Sequence, residues 1–177
     1  DQGIQVLEGL AGGDPQGSAW TEAGALDKRG HKEGWKLAKL VAQEIEDLAS
    51  RVRGLLAAGW GEVLMVTDHG WLLLPGGLPK IELSKYLVEL RWGRCAAMKE
   101  AATTYLPMVP WHWNPAVSVA SPPAVGCFKA GLEYAHGGIS LQELVVPRMV
   151  IRAEGDVSQS RLATIKWVGL RCRVTVQ

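Results

Sequence analysis

An apolar stripe at helical spacing is the feature that most constrains the fold of this chain. From about residue 33 to residue 58, apolar side chains recur every three or four positions, and charged side chains occupy the opposite face. The stripe consists of Leu37, Val41, Ile45, Leu48, Val52, Leu55 and Leu56. Gly59 follows at the position where helices commonly end in a left-handed residue. The pattern predicts one long amphipathic helix.

A short apolar run follows this helix closely and predicts a strand. Residues 62–67 include four consecutive apolar side chains, entered from Gly61 and left through Asp68, His69 and Gly70. A continuous apolar run of this length is typical of a strand buried in a parallel sheet. Helix, turn, strand and a polar cluster at the end of the strand together predict an α/β fold, in which functional sites collect at such strand ends.

The composition is that of a folded domain with no strong charge bias. The 177 residues are 47% hydrophobic and 21% charged, which is enough for one sizeable core, and the net charge of +1 neither requires nor excludes a nucleic-acid partner. The three cysteines form no CxxC pair, which disfavours a disulfide framework and favours a cytoplasmic location. No apolar run approaches the roughly 18 residues of a membrane span. The absence of an initiator Met suggests a piece of a longer protein.

The carboxyl-terminal third predicts one short helix and a β-rich end. A Ser-x-x-Glu capping box at 140–143 predicts the start of a short helix. Segments 148–153 and 162–176 are β-like in their side chains. We therefore expect a main unit at 1–150 and the start of a small β extension at 151–177.

Five Asp and His residues form the constellation that carries chemistry. Asp27 and His31 are four residues apart and can share one helical face, Asp68 and His69 follow the predicted strand, and His136 precedes two glycines. Carboxylate oxygen and imidazole nitrogen are suitable ligands for Zn²⁺ or Mn²⁺. Two such ions about 3.5–4 Å apart can hold both the attacking and the leaving oxygen of a phosphoryl group. Each element alone is common, but together they predict a metal centre.

The order of these elements resembles the metal ligands of the alkaline-phosphatase superfamily. That order is Asp-x-x-Gly-His, then Asp-His after a strand, then a late His-Gly. Three strings resemble the PglZ proteins of BREX phage-defence systems: VTDHGWLLLPGGLPK at 66–80, RWGRC at 91–95 and YAHGGISLQE at 134–143. The resemblance extends over about 20–151. It implies the C-terminal part of an alkaline-phosphatase-like sheet with flanking helices.

The resemblance also implies how the ligands would be divided. Asp27, His31 and His136 would hold one metal ion, and Asp68 and His69 would hold the other, which makes two ions in the intact protein. The family pattern further requires an upstream Asp ligand and a Ser or Thr nucleophile, and neither has a counterpart here. No catalytic residue is therefore identified, and we expect this fragment to be inactive by itself.

Basic residues after the Asp-His-Gly motif are candidates for contact with phosphate. Lys80, Arg91 and Arg94 follow the motif, and ammonium and guanidinium groups pair well with phosphate oxygens. Isolated basic residues are also common on solvated surfaces. These three residues are therefore candidates for substrate binding, and the alternative is that they are ordinary surface residues.

Ordinary structural roles are also open to the five proposed ligands. Asp27 and His31 could cap and flank the long helix. Asp68 and His69 could form a simple turn at the end of the strand, and His136 could be a loop histidine between flexible neighbours. The metal assignment depends on the joint pattern.

Two functions follow as expectations. The first is a metal-dependent phosphoric-ester hydrolase, in particular a phosphodiesterase or nuclease, that acts in bacterial phage defence. The second is a non-catalytic, phosphatase-like docking module of a defence complex. In both cases the expected partners are other components of the defence system, with nucleic acid as a further candidate and no membrane.

Overall fold

The chain folds into few helices and several small sheets. The structure is a computed structural model that describes residues 3–153, 162–168 and 171–176. Within these ranges the architecture is mixed α/β, and most of the strand pairs are antiparallel. None of the helices in the described ranges combines the length and the apolar surface needed to cross a bilayer.

The predicted long helix is present but divided. Helix α1 spans Leu26–Glu33, a 3-10 helix spans Gly34–Lys39, and helix α2 spans Val41–Ala57. Gly34 has a positive φ of 58°, which interrupts the helical path between α1 and the 3-10 helix. Gly59, just beyond α2, has a φ of 100°, which matches the left-handed helix end predicted there.

The strand after α2 is where the sequence predicts it, but its pairing and burial differ. Strand β3 (Glu62–Val66) pairs antiparallel with β10 (Arg148–Arg152), so the prediction of a buried parallel strand at 62–67 is wrong. Leu64 and Val66 remain 48% and 49% exposed. The physical reason is that successive side chains of a strand point to opposite faces. Helix α2 contacts β3, but within the described part of the chain nothing covers the face that carries Leu64 and Val66.

The largest sheet has four antiparallel strands and carries the main hydrophobic core. In spatial order it consists of β5 (Val88–Arg91), β6 (Ala96–Met98), β8 (Asn114–Ala120) and β7 (Met108–Trp111). The buried side chains packed on it are Leu83, Val88, Ala96, Met98, Leu106, Ala120 and Phe128. This sheet is therefore the principal packing unit of the described chain.

Two strand pairs lie near the two ends of the chain. Strand β1 (Ile4–Val6) pairs parallel with β2 (Ser18–Trp20), and β11 (Leu162–Val168) pairs antiparallel with β12 (Arg171–Val176). The β11–β12 pair provides strands where a β extension is expected. Strand β10 runs through the expected boundary between residues 150 and 151. Parts of the expected extension lie outside the described residues, namely 154–161, 169–170 and 177.

A short two-stranded ladder and a one-turn helix complete the architecture. Strand β4 (Leu72–Leu73) pairs antiparallel with β9 (Tyr134–Ala135) over a second small core. Helix α3 (Leu141–Leu144) begins with a complete capping box between Ser140 and Glu143, which confirms the prediction of a short helix there. The ladder and α3 bring distant sequence motifs together.

Candidate metal centre

The β4–β9 ladder brings His69 and His136 to the same end of one strand pair. Leu72 pairs with Ala135 in an antiparallel register, so the residues that precede β4 lie beside those that follow β9. The imidazole rings of His69 and His136 stack with centroids 4.0 Å apart and planes only 7° from parallel. The ladder therefore places the two imidazole rings of the candidate site side by side.

Helix α1 packs against β9 at a glycine and supplies the other side of the site. A Cβ atom on Gly30 would lie only 2.4 Å from the ring of Tyr134, so the helix approaches this closely only because residue 30 has no side chain. Asp27 and His31 flank this contact, one helical turn apart. The close approach directs both side chains toward His136.

The side chains converge on distances that suit a metal ion. The Nε2 atom of His136 lies 3.1 Å from Oδ1 of Asp27 and 2.9 Å from Nε2 of His31, which itself lies 3.5 Å from that carboxylate oxygen. Ligand atoms of Asp27, His69 and His136 all lie within 4.8 Å of one another. A tetrahedral ion with bonds of about 2.0–2.1 Å places its ligand atoms about 3.3 Å apart. The observed donor set therefore fits a divalent cation in both chemistry and spacing.

Two neighbouring groups orient the candidate ligands. The Nδ1 atom of His69 lies 3.0 Å from the carbonyl oxygen of Gly70, and an N–H donated there leaves the lone pair on Nε2. The hydroxyl group of Tyr134 donates to Oδ1 of Asp27 at 2.9 Å. Outer contacts of this kind fix the tautomer and direction of metal-binding side chains in known sites.

The electrostatics of the cluster favour neutral imidazole at His136. Burial and the neighbouring charge of His69 lower the pKa of His136, although Asp27 acts in the opposite direction. Burial and the hydrogen bond to Asp27 raise the pKa of the Tyr134 hydroxyl, which keeps it protonated as a donor. Because an imidazole binds metal only when neutral, the lowered pKa of His136 suits a ligand.

The structure brings Asp27, His31 and His136 together, as the expected first set requires, and places His69 next to them. His136 is central, with Asp27 and His31 on one side and His69 stacked on the other. The carboxylate of Asp68 is 87% exposed, and its Oδ1 lies 3.8 Å from Nε2 of His69, which places Asp68 at the rim. Asp27, His31, His69 and His136 thus form one cluster, and Asp68 lies at its edge.

The three basic candidates occupy different surroundings. Lys80 forms an ion pair with Glu82, and Arg91 donates to the carbonyl oxygen of Leu83. Arg94 is fully buried and pairs with a carboxylate inside the protein, so its guanidinium group is directed inward and is not available to a ligand in solution. This burial gives Arg94 a structural role in place of the predicted contact with phosphate.

Tyr134 is the participant that the sequence reasoning missed. It lies two residues before His136, and side chains two apart on a strand point to the same side. The two-residue spacing between Tyr134 and His136 is the signal in the sequence that points to Tyr134. The two-residue length of β9 is too short to give a period in the sequence.

The chain matches no known family model, no curated protein and no solved structure. The candidate site therefore stands on the geometry of the described residues and on the motifs in the sequence. One carboxylate and two imidazoles, from Asp27, His69 and His136, have ligand atoms close enough together to hold a metal ion, and His31 lies beside them. Asp27 and His31 are about half exposed to solvent on the α1 side.

Proposed function

We propose that Asp27, His31, His69 and His136 form a divalent metal centre, with Asp68 at its rim, and that the ion is Zn²⁺ or Mn²⁺. The observation that carries this proposal is the convergence of ligand atoms from Asp27, His69 and His136 within 4.8 Å of one another. These residues come from three separate segments of the chain. Convergence over such sequence distances, together with the hydrogen bonds that orient Asp27 and His69, supports a binding site.

The reaction that this centre would support is hydrolysis of a phosphoric ester, in particular a phosphodiester such as nucleic acid. The proposal combines the metal-binding donor set with the resemblance of the motifs to PglZ proteins and to the alkaline-phosphatase-like fold. A bound ion would polarise a phosphoryl oxygen and stabilise developing charge. The protein's own residues would hold that ion, keep His136 neutral and leave one side open to a substrate. Lys80 and Arg91 remain proposed contacts for the ester.

The proposed setting is bacterial phage defence in the cytoplasm, with other defence components as partners. This part of the proposal depends on the resemblance alone. It implies that the chain works as a portion of a larger assembly, and that nucleic acid is the substrate or the scaffold on which the assembly acts.

A non-catalytic metal-binding module is the second candidate, and the hydroxyl groups near the site are consistent with it. Within residues 3–153, the one hydroxyl group hydrogen-bonded to a candidate ligand atom is that of Tyr134, whose raised pKa makes it a poor nucleophile. The hydroxyl group of Thr67 donates to the backbone carbonyl of His69. A docking module would require a bound metal ion but no nucleophile.

Metal binding is tested by calorimetric titration of the metal-free chain with Zn²⁺ and Mn²⁺. We expect saturable binding that His136→Ala abolishes and that His112→Ala leaves unchanged, since His112 is an exposed histidine in the turn between β7 and β8. Equal affinity in the wild type and in His136→Ala would contradict the proposed centre.

Hydrolysis distinguishes the two candidates. In the full-length natural protein, metal-dependent cleavage of a nitrophenyl phosphodiester should be lost in Asp68→Ala, with Asp14→Ala as the control for an exposed carboxylate remote in sequence. Metal binding without cleavage in the full-length protein favours the docking module. Cleavage that survives Asp68→Ala removes this residue from the proposed chemistry.

A further inference from the structure

A buried ion pair is formed by Arg94 and by Glu143, which is hydrogen-bonded to the loops that carry His69 and His136. Nη2 of Arg94 lies 2.7 Å from Oε2 of Glu143 and its Nε lies 3.0 Å from Oε1, so the two side chains form a two-point contact. Their side chains are 0% and 1% exposed. Burying two charges is costly unless their remaining polar atoms are also bonded, so this pair requires a structural explanation.

The arginine side of the pair is anchored in a loop of the main core. Its guanidinium group also donates to the carbonyl oxygens of Gly126 and Ala124. The hydroxyl group of Ser121 in turn donates to the backbone carbonyl of Arg94. Arg94 is thereby fixed to a rigid part of the protein.

The glutamate side of the pair bonds to both loops that carry histidine ligands. The amide of Gly138, two residues after His136, donates to Oε1 of Glu143 at 2.9 Å. The amide of Gly70, next to His69, donates to the backbone carbonyl of Glu143, also at 2.9 Å. One residue therefore tethers the two loops that precede β4 and follow β9.

The packing at both tethers is close. A Cβ atom on Gly70 would lie 1.9 Å from the carbonyl oxygen of Gln142, and one on Gly138 would lie 2.8 Å from Nη2 of Arg94 and from Oε2 of Glu143. The contact with a backbone oxygen requires glycine at position 70, whereas a Cβ at position 138 would displace the ends of the Arg94 and Glu143 side chains. The loop at Gly70 is thus held against the backbone of α3, and the loop at Gly138 is held against the ion pair itself.

We infer that Arg94 and Glu143 are positioning residues for the metal centre, which set the placement of His69 relative to His136. The pair contacts neither imidazole ring through its charges. Its side chains act through the amide of Gly138, while the backbone carbonyl of Glu143 holds Gly70, and the result is the stacked arrangement of the two rings at 4.0 Å. The inference rests on the proposed metal centre for its functional meaning, although the tether itself is a property of the fold.

The test replaces both partners at once, because a single replacement would leave one buried charge unpaired. The double variant Arg94→Met with Glu143→Leu keeps similar volumes and retains the backbone bond from Gly70, but removes the side-chain acceptor for Gly138. We expect Co²⁺ to bind at least about tenfold more weakly, as is typical when outer contacts of metal ligands are lost. The visible absorption bands of bound Co²⁺ should also change, because they report ligand geometry.

The matched control is Glu62→Leu with Arg152→Met, which removes an exposed pair of the same residue types on β3 and β10. We expect the affinity for Co²⁺ and its spectrum to be unchanged in this control. A purely structural role for the buried pair predicts a lower melting temperature with wild-type affinity and spectrum for Co²⁺, and that result would overturn the inference.

A metal-free readout separates this inference from the proposed function. If the wild type binds no Co²⁺, the proposal of a metal centre is wrong. The positioning role of the Arg94–Glu143 pair is then tested without metal, from nuclear Overhauser contacts between the rings of His69 and His136. Loss of these contacts in the buried double variant, but not in the exposed control, supports positioning by the pair. Contacts that persist in the folded double variant overturn it.

Discussion

Gly30 is a residue at which a single added methyl group should disturb the packing of the candidate site. Alanine normally stabilises a helix interior by about 0.5–1 kcal/mol relative to glycine. At position 30, however, its Cβ would lie 2.4 Å from the Tyr134 ring. Overpacking of this kind typically costs about 1–3 kcal/mol, so Gly30→Ala should lower the free energy of unfolding and separate α1 from β9. Denaturant titration measures the change.

Gly54 provides the matched control for this prediction. It also lies within a helix, α2, but a Cβ built on it meets no atom within 4 Å. Gly54→Ala should therefore increase the free energy of unfolding by about 0.5–1 kcal/mol. Opposite signs at the two positions are expected, and a stabilising effect at both would show that the contact between Gly30 and Tyr134 is not as close as described.

The hydroxyl group of Tyr134 should influence metal affinity more than folding. Tyr134→Phe retains the ring that packs against Gly30 and His31 but removes the hydrogen bond to Asp27. Since that bond orients a candidate ligand, we expect Zn²⁺ to bind up to about tenfold more weakly in calorimetry. Tyr86→Phe, at a residue that is 86% exposed, should have no effect. Equal affinities in both variants would refute an orienting role.

Individual ligand candidates could be predicted from sequence because their chemistry and spacing are local. Asp27 and His31 are four residues apart and do lie one turn apart on a helix. The position of His69 relative to His136 could not be predicted in this way, since it depends on the register of two-residue strands. The burial of Arg94 could not be predicted for a related reason, since its partner, Glu143, is 49 residues away along the chain.

At the scale of the element, α3 should make the stability of the protein sensitive to acid. Burial alone would raise the pKa of Glu143, but hydrogen bonds from Arg94, Ser140 and Gly138 outweigh it and lower the pKa to about 2. In the unfolded chain the same carboxyl group titrates near its ordinary value of about 4.3. Its contribution to stability is therefore fully present above that value and is lost as the pH falls toward 2.

Comparison with Glu143→Gln isolates this contribution. At pH 7 the variant should be less stable by a few kcal/mol, and the difference from the wild type should shrink between about pH 4.5 and pH 2. Urea titrations at several pH values measure it, and Glu62→Gln is the exposed control. A difference that stays constant over this range would show that the Glu143 carboxyl group is not held in its charged form.

The elements themselves differ in how far local sequence determines them. Helix α2 and the capping box of α3 arise from periodicity and local side-chain bonds, and both were predicted. For β3, the apolar run correctly located the strand but not its partner. An apolar run shows only that a strand prefers burial, whereas its direction depends on β10, which lies about 80 residues later in the chain.

The whole molecule gathers the site from segments that are remote in sequence. Asp27 on α1 contacts Tyr134 on β9 across 107 residues, and Arg94 contacts Glu143 across 49. The two-residue strands β4 and β9 are extended by further backbone hydrogen bonds, from Leu74 to Glu133 and from Leu78 to Leu132, and side-chain contacts connect α1 to this unit. A ligand that bridges α1, β4 and β9 should consequently stabilise the fold as a unit.

Metal binding should therefore raise the melting temperature of the entire chain. An ion at 100 times its dissociation constant stabilises the folded state by about 2.7 kcal/mol if the unfolded chain does not bind it. For a chain of this size each kcal/mol shifts the melting temperature by about 2–4 °C, so Zn²⁺ or Mn²⁺ should raise it by roughly 5–10 °C, and a chelator should reverse the shift. Scanning calorimetry measures the effect.

His136→Ala should melt at the same temperature with and without metal, whereas His112→Ala, in the turn between β7 and β8, should respond as the wild type does. An equal shift in His136→Ala would place the stabilising ion elsewhere, because His136 lies between Asp27 and His69 in the proposed centre.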